Sequence, residues 1–155
     1  MSVNTLANPQ TPQLTITEDD IRTLAIERLM RELPQAEMPV EHEFCHGVYA
    51  RTIHLKQGIC LVGEIHRDES FFVVRSGALA VTTPDGAVVV GSGFQSVTKP
   101  GQKRLGIALT DCVVTTYHAN PSELRDPDEI KDYYTAPAPQ ELLDMIDRAI
   151  LEVGK

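Results

Sequence analysis

Between residues 44 and 118, turn-forming residues recur at intervals too short for a helix of ordinary length. Gly58, Gly63, Gly77, Pro84-Asp85-Gly86, Gly91, Gly93 and Pro100-Gly101 divide a stretch dense in Val, Ile and Thr. β-Branched residues suit a pleated backbone, and glycine and proline supply the turns between strands. This rhythm predicts a mainly β domain over 44–118, a sandwich or barrel. No long helical pattern interrupts the run, so the sheet is expected to be antiparallel. Within it, Gly77 to Val90 reads as a hairpin, with Asp85-Gly86 supplying the positive φ of its turn.

Helical patterns flank this centre. In 17–34, Thr17 is placed as N-cap, and Glu18, Asp19 and Asp20 load the first turn with the charge that a helix dipole favours. Ile21, Leu24, Ala25, Leu29 and Leu33 recur at helical spacing, Ile26 and Met30 widen the stripe, and Pro34 ends the helix. Residues 1–16 are polar and carry Pro9 and Pro12, and they read as an extended N-terminal arm. Residues 119–155 form a C-terminal loop and helix. Asn120-Pro121 marks an exit turn, and Asp126 with Pro127 has the form of an N-cap followed by proline at the first helical position. A last helix over 140–153 aligns Leu142, Ile146, Ala149, Ile150 and Val153. These stripes must pack on the barrel, on each other or on a partner.

The chain has 155 residues, 42% of them hydrophobic, enough for one domain with its own core. A net charge of −8 disfavours a sequence-independent nucleic-acid binder. Cys45, Cys60 and Cys112 lie far apart with no C-x-x-C pair, and read as reduced, buried thiols. The apolar stretches are too short to span a membrane, and the N-terminus lacks the regions of a signal peptide. The expected location is the cytoplasm of a bacterial cell rather than a secreted compartment.

Gly58 is followed by Ile-Cys-Leu-Val-Gly, then Glu64-Ile65-His66, then Ser70 and Gly77. This spacing resembles the first motif of the cupin superfamily, the RmlC-like jelly rolls: a glycine, His-x-His, Glu and a closing glycine. Pro100-Gly101-Gln102-Lys103-Arg104 resembles the second motif, one residue shorter and with Arg in place of the final His. The Lys-Arg turn, with the closing strand Asp111 to His118 and Asn120, is similar to small cupin-like proteins of tailed bacteriophages. The resemblance implies a single antiparallel cupin or jelly-roll barrel with flanking N-terminal and C-terminal α-helices. It also implies a site for a divalent transition metal, held by three imidazoles and a carboxylate.

Of those four ligands only one is retained, as His66. Glu64, Ser70 and Arg104 stand at the others, and a guanidinium does not ligate a metal. Strand alternation places Cys60, Val62, Glu64 and His66 on one inward face, predicting a Glu64–Arg104 ion pair with His66 beside it. A residual metal site from His66, Glu64 and Asp68 is the alternative. His42, Cys45 and His46 form a pre-barrel cluster with no evident fourth zinc ligand. His54 reads as an ordinary strand residue, and His118 as a hydrogen-bonding partner of the exit turn.

Three functions stay open. The leading one is a non-enzymatic, phage-type structural or assembly protein, without cofactor. It would form a homo-oligomer or bind a phage protein partner through its arm and helices, in the infected cell or in a virion. A metal-dependent enzyme of the dioxygenase or isomerase type is the second. The third is a metal-free barrel that binds a polar ligand through Glu64, His66 and Arg104. Aromatic residues are 5% of the chain and Trp is absent, so stacking surfaces look scarce.

Overall fold

The computed structural model describes residues 16–83 and 85–155. The arm over 1–16 therefore lies outside the described residues except for its last position. The chain is mainly β and antiparallel, with helices at both ends. α1 (Glu18–Met30) precedes the strands β1 (Val40–Cys45), β2 (Val48–Leu55), β3 (Cys60–Val62), β4 (Ile65–His66), β5 (Ser70–Ser76), β6 (Ala78–Thr83), β7 (Gly86–Gly91), β8 (Gln95–Thr98), β9 (Leu105–Ala108) and β10 (Cys112–Ala119). α2 (Pro127–Tyr134), β11 (Thr135–Ala136) and α3 (Gln140–Val153) follow.

Two sheets face each other as a jelly-roll barrel. One has the order β1-β2-β10-β5-β8 and the other β3-β9-β6-β7, while β11 pairs with β4. Residues of both sheets meet in one core of Ile53, Leu55, Val74, Leu79, Val81, Val90, Ala108, Cys112 and Val114. Tyr49, Ile130 and Tyr134 form a second cluster where α2 packs over the opposite end. The predicted hairpin is β6–β7, with Ala78 opposite Gly91 and Thr83 opposite Gly86. Gly86 has φ 111°, as its turn requires.

The helix starts follow their capping residues. Thr17 accepts from the Asp20 backbone N–H, and the Asp20 side chain accepts from Thr17 in return, a capping box. Asp126 accepts from the N–H groups of Asp128 and Glu129, with Pro127 leading α2.

Three expectations change. α1 stops at Met30, before Pro34, and of the apolar stripe it buries only Leu24, together with the polar Asp20 and Thr23, while Leu29 and Leu33 stay exposed. The reason lies across the interface. Asp20 Oδ1 accepts from the Lys103 backbone N–H at 2.9 Å, and Glu27 Oε2 pairs with Lys103 Nζ at 2.9 Å. Residues 42 and 43, placed before the barrel, belong to β1, which pairs with β2 along its whole length. Of the three thiols, Cys112 is buried, Cys60 partly so and Cys45 exposed. α3 buries Ile146 and leaves Val153 exposed, and it meets α1 through a two-pronged ion pair between Arg28 and Asp147 at 2.8 and 2.5 Å.

Candidate functional site

A cavity of about 360 Å³ opens between the sheets at the end that α2 covers. Sheet register stacks its wall in layers. Ile53 lies opposite Val114, which lies opposite Val74, and this layer forms an apolar floor. The layer above runs Arg51, Thr116, Phe72, Ser96 across four strands. Above that, Tyr49 lies opposite His118, and Tyr134 of α2 closes the top. Side chains of one strand alternate faces, so each layer is two residues from the next.

Glu64, His66 and Arg104 all line this cavity, as does His118. The expected Glu64–Arg104 ion pair is not formed. Residues 63 and 64 lie between β3 and β4, so strand alternation does not carry through them. Glu64 is exposed and faces Lys131 Nζ of α2 at 3.6 Å. Arg104 instead donates to Ser96 Oγ at 3.3 Å and Gln102 Oε1 at 3.5 Å, and its guanidinium lies 5.2 Å from the Phe72 ring centre. Its Nε is buried with no hydrogen-bond partner. Burial pushes its proton affinity down. Cys60 does not line the cavity. Its Sγ lies 4.0 Å from Met30 Sδ of α1.

His66 Nδ1 is 2.9 Å from Ser70 Oγ. Its ring meets His118 edge-on at 5.0 Å and Tyr134 at 5.5 Å. His118 is buried, stacks on Tyr134 at 4.0 Å, and reaches Thr116 Oγ1 through Nε2 at 2.9 Å. Asn120, not His118, holds the exit turn, donating to Leu124 O and accepting from Leu124 N. Tyr49 stacks on His118 and on His42, and His42 Nδ1 is 2.6 Å from the Tyr49 hydroxyl. Five aromatic and imidazole rings thus converge on the covered end, despite the low aromatic content of the chain. The sequence signal for this was the alternation in the closing strand, which puts His118 on the same face as Val114 and Thr116.

These residues do not fit the metal that the resemblance implied. Asp68 is exposed and is not among the cavity-lining side chains. Arg51, Arg104 and Lys131 surround the remaining donors with positive charge. Among the described residues no three His, Cys, Asp or Glu side chains come together as a metal-holding group. His42 and His46 are likewise separated in use, His46 Nδ1 facing Glu123 at 2.8 Å. His54 faces Glu41 at 3.0 Å, as an ordinary strand residue.

Burial governs the protonation of this end. It pulls His66 down to about 4, against a partial rise from Glu64, and His118 down to about 3, helped by the neighbouring His66. Burial also pushes Tyr49 up to about 12. Both imidazoles are therefore neutral in the folded chain at pH 7. The unfolded chain binds the two protons first, near the ordinary value of about 6.5. Stability from these neutral rings is full above that pH and is lost as pH falls toward 4 and 3. Urea unfolding between pH 7.5 and 4.5 is expected to show a loss on the order of 2 kcal/mol, discounted for partial exposure of His66. His118→Phe, which keeps a ring and removes a titrating group, is expected to flatten that slope. An unchanged slope would contradict the assignment.

No helix among the described residues is long and apolar enough to cross a membrane. No protein-family model matches the chain, and no curated protein matches it. The chain is similar to several solved cupin structures. A cupin-2 domain containing protein from Shewanella frigidimarina is 12% identical over 61% of this chain and 92% of that one, with a TM-score of 0.46. The cupin-2 domain of an XRE family transcriptional regulator from Enterobacter cloacae is 14% identical over 56% of this chain and 99% of that one, with a TM-score of 0.48. An RmlC-like cupin from Shewanella frigidimarina is 16% identical over 57% of this chain and 78% of that one, with a TM-score of 0.47. Identities this low bear on the fold alone.

Proposed function

We propose that the chain is a non-catalytic barrel that binds a small molecule in the cavity between its sheets. One observation carries this reading. The cavity of about 360 Å³ joins an apolar floor to a polar upper wall, where Arg104 Nε is buried with no partner. Ligand sites of about 300–1,000 Å³ share this build, mostly apolar with a few convergent polar groups. A buried donor without a partner is costly unless something completes it. The reading needs no metal, in keeping with the cations around His66 and Glu64.

Thermal unfolding against a panel of small polar organic molecules tests it. A ligand at one hundred times its Kd is expected to stabilise the fold by about 2.7 kcal/mol. Val114→Phe narrows the cavity floor and is expected to abolish that shift while leaving a cooperative transition. A shift that persists in Val114→Phe, or a panel with no effect on the wild type, would sink the proposal.

Assembly is the second reading, and the helices support it. Leu29 is 53% exposed, Leu33 61%, Leu151 69% and Val153 87%. A homo-oligomer joined through α1 and α3, as a phage-type structural protein, would cover them. Light scattering is expected to give a multimer that Leu151→Glu weakens. A monomer at high concentration would rule it out.

A further inference from the structure

We infer that the cavity selects small organic acids, with a carboxylate head held between Arg104 and Arg51 and an apolar body lying over Ile53, Leu79 and Val81. This rests on the cavity being a ligand site, and it names the ligand by its chemistry.

Charge is the first ground. The chain as a whole carries −8, yet the cavity wall gathers Arg51, Arg104 and Lys131 against a single carboxylate, Glu64. That carboxylate already faces Lys131. Both guanidiniums are thus left without a counter-charge, on partly buried side chains where charges are screened less than at the surface. Among the described residues the Arg51 side chain makes no hydrogen bond or ion pair, and the Arg104 guanidinium donates only to the neutral acceptors Ser96 and Gln102. Its buried Nε is a further donor with nothing to donate to.

Position is the second. Arg51 begins the same cross-strand layer that ends in Ser96, the residue to which Arg104 donates. Both side chains line the same cavity, at opposite ends of a single layer, with Thr116 and Phe72 between them. A planar carboxylate accepts from such donors with good geometry, and an ionised acceptor makes the stronger bond. Directly below lie Ile53 and Val114, with Leu79 and Val81 from the opposing sheet, which offer an apolar body no polar partner. A wholly polar anion would leave this floor uncovered, and a neutral apolar molecule would leave the guanidiniums unmatched.

Isothermal calorimetry at pH 7 with hexanoate, hexanamide and acetate tests the inference. Hexanoate is expected to bind one per chain, about tenfold or more tighter than hexanamide, which keeps the body but not the charge. Acetate, which keeps only the head, is expected to bind at least as much more weakly. Arg104→Met is expected to bring hexanoate down to the level of hexanamide, and Arg104→Lys to restore part of the difference. The comparison of acid with amide on the wild type needs no variant to fold. Equal affinity for hexanoate and hexanamide would overturn selection for acids while leaving the cavity a ligand site. No saturable heat from either would overturn both.

Discussion

Glu27→Ala is expected to lower the free energy of unfolding by about 3 kcal/mol, as removal of one partner from a buried ion pair does. The Lys103 side chain is 3% exposed and that of Glu27 17%. Lys103 Nζ is held between Glu27 Oε2 and Gly63 O, each at 2.9 Å, while its backbone N–H donates to Asp20 Oδ1. With Glu27 gone, the ammonium keeps one carbonyl in a site with little water to replace the carboxylate. The loss should be specific to the unpaired charge. Glu27→Leu combined with Lys103→Met is therefore expected to recover most of it, because a buried pair is often replaceable by apolar side chains of similar volume. Denaturant unfolding of the two variants measures both effects. A double variant no more stable than Glu27→Ala would point to packing of α1, and not to the stranded charge.

Gly77→Ala is expected to cost more, about 4 kcal/mol, or to prevent folding. Gly77 has φ +83°, and a Cβ there would sit 2.2 Å from Asp111 O and 2.9 Å from both Cys112 Cα and Cys112 Sγ. Positive φ alone costs an alanine roughly 1–2 kcal/mol. The rest comes from forcing apart β6 and the start of β10, backbone against backbone. Gly47→Ala provides the contrast. Its φ is +71° with nothing within 4 Å of the added carbon. It is expected to lose only about 1 kcal/mol, the backbone cost without the clash. Similar losses at the two glycines, read by urea unfolding, would mean that the approach of Asp111 is not the cause.

Features written in local sequence were legible. The β6–β7 hairpin follows from the turn at Gly86, and both capped helix starts follow from Thr17 and from Asp126-Pro127. The strand-rich centre and its antiparallel pairing follow from glycine and proline spacing. The errors share a physical cause, which is that the deciding partner is remote. Hydropathy turned α1 by its leucines, of which Leu24 is buried and Leu29 is not, because Asp20 and Glu27 are held by Lys103, eighty-three residues from Asp20. Alternation put Glu64 inside the barrel beside Arg104. Gly63 and Glu64 are instead irregular, with Gly63 N donating to Arg104 O at 2.9 Å, and Glu64 turns to Lys131.

The candidate site was legible only in part. Glu64, His66 and Arg104 were found through a resemblance in motif spacing, and all three do line the cavity. His118 was assigned to the exit turn because Asn120-Pro121 follows it, and Asn120 takes that task itself. Tyr134 gave no local signal, since it reaches the cavity only because α2 folds over the barrel and β11 pairs with β4. The low aromatic count argued against a stacking surface. What matters is where the rings gather, and the fold brings most of its imidazoles and two of its tyrosines to one end.

The central claim is that the space between the sheets is a binding site, and its most direct test is where a ligand acts. Two-dimensional amide NMR of the isotope-labelled chain, recorded during a hexanoate titration, reports this residue by residue. The account predicts saturable shifts at Phe72, Arg104, Thr116 and His118, which share the cavity wall, with α3 unmoved. Shifts confined to α1 and α3, or none that saturate, would contradict it.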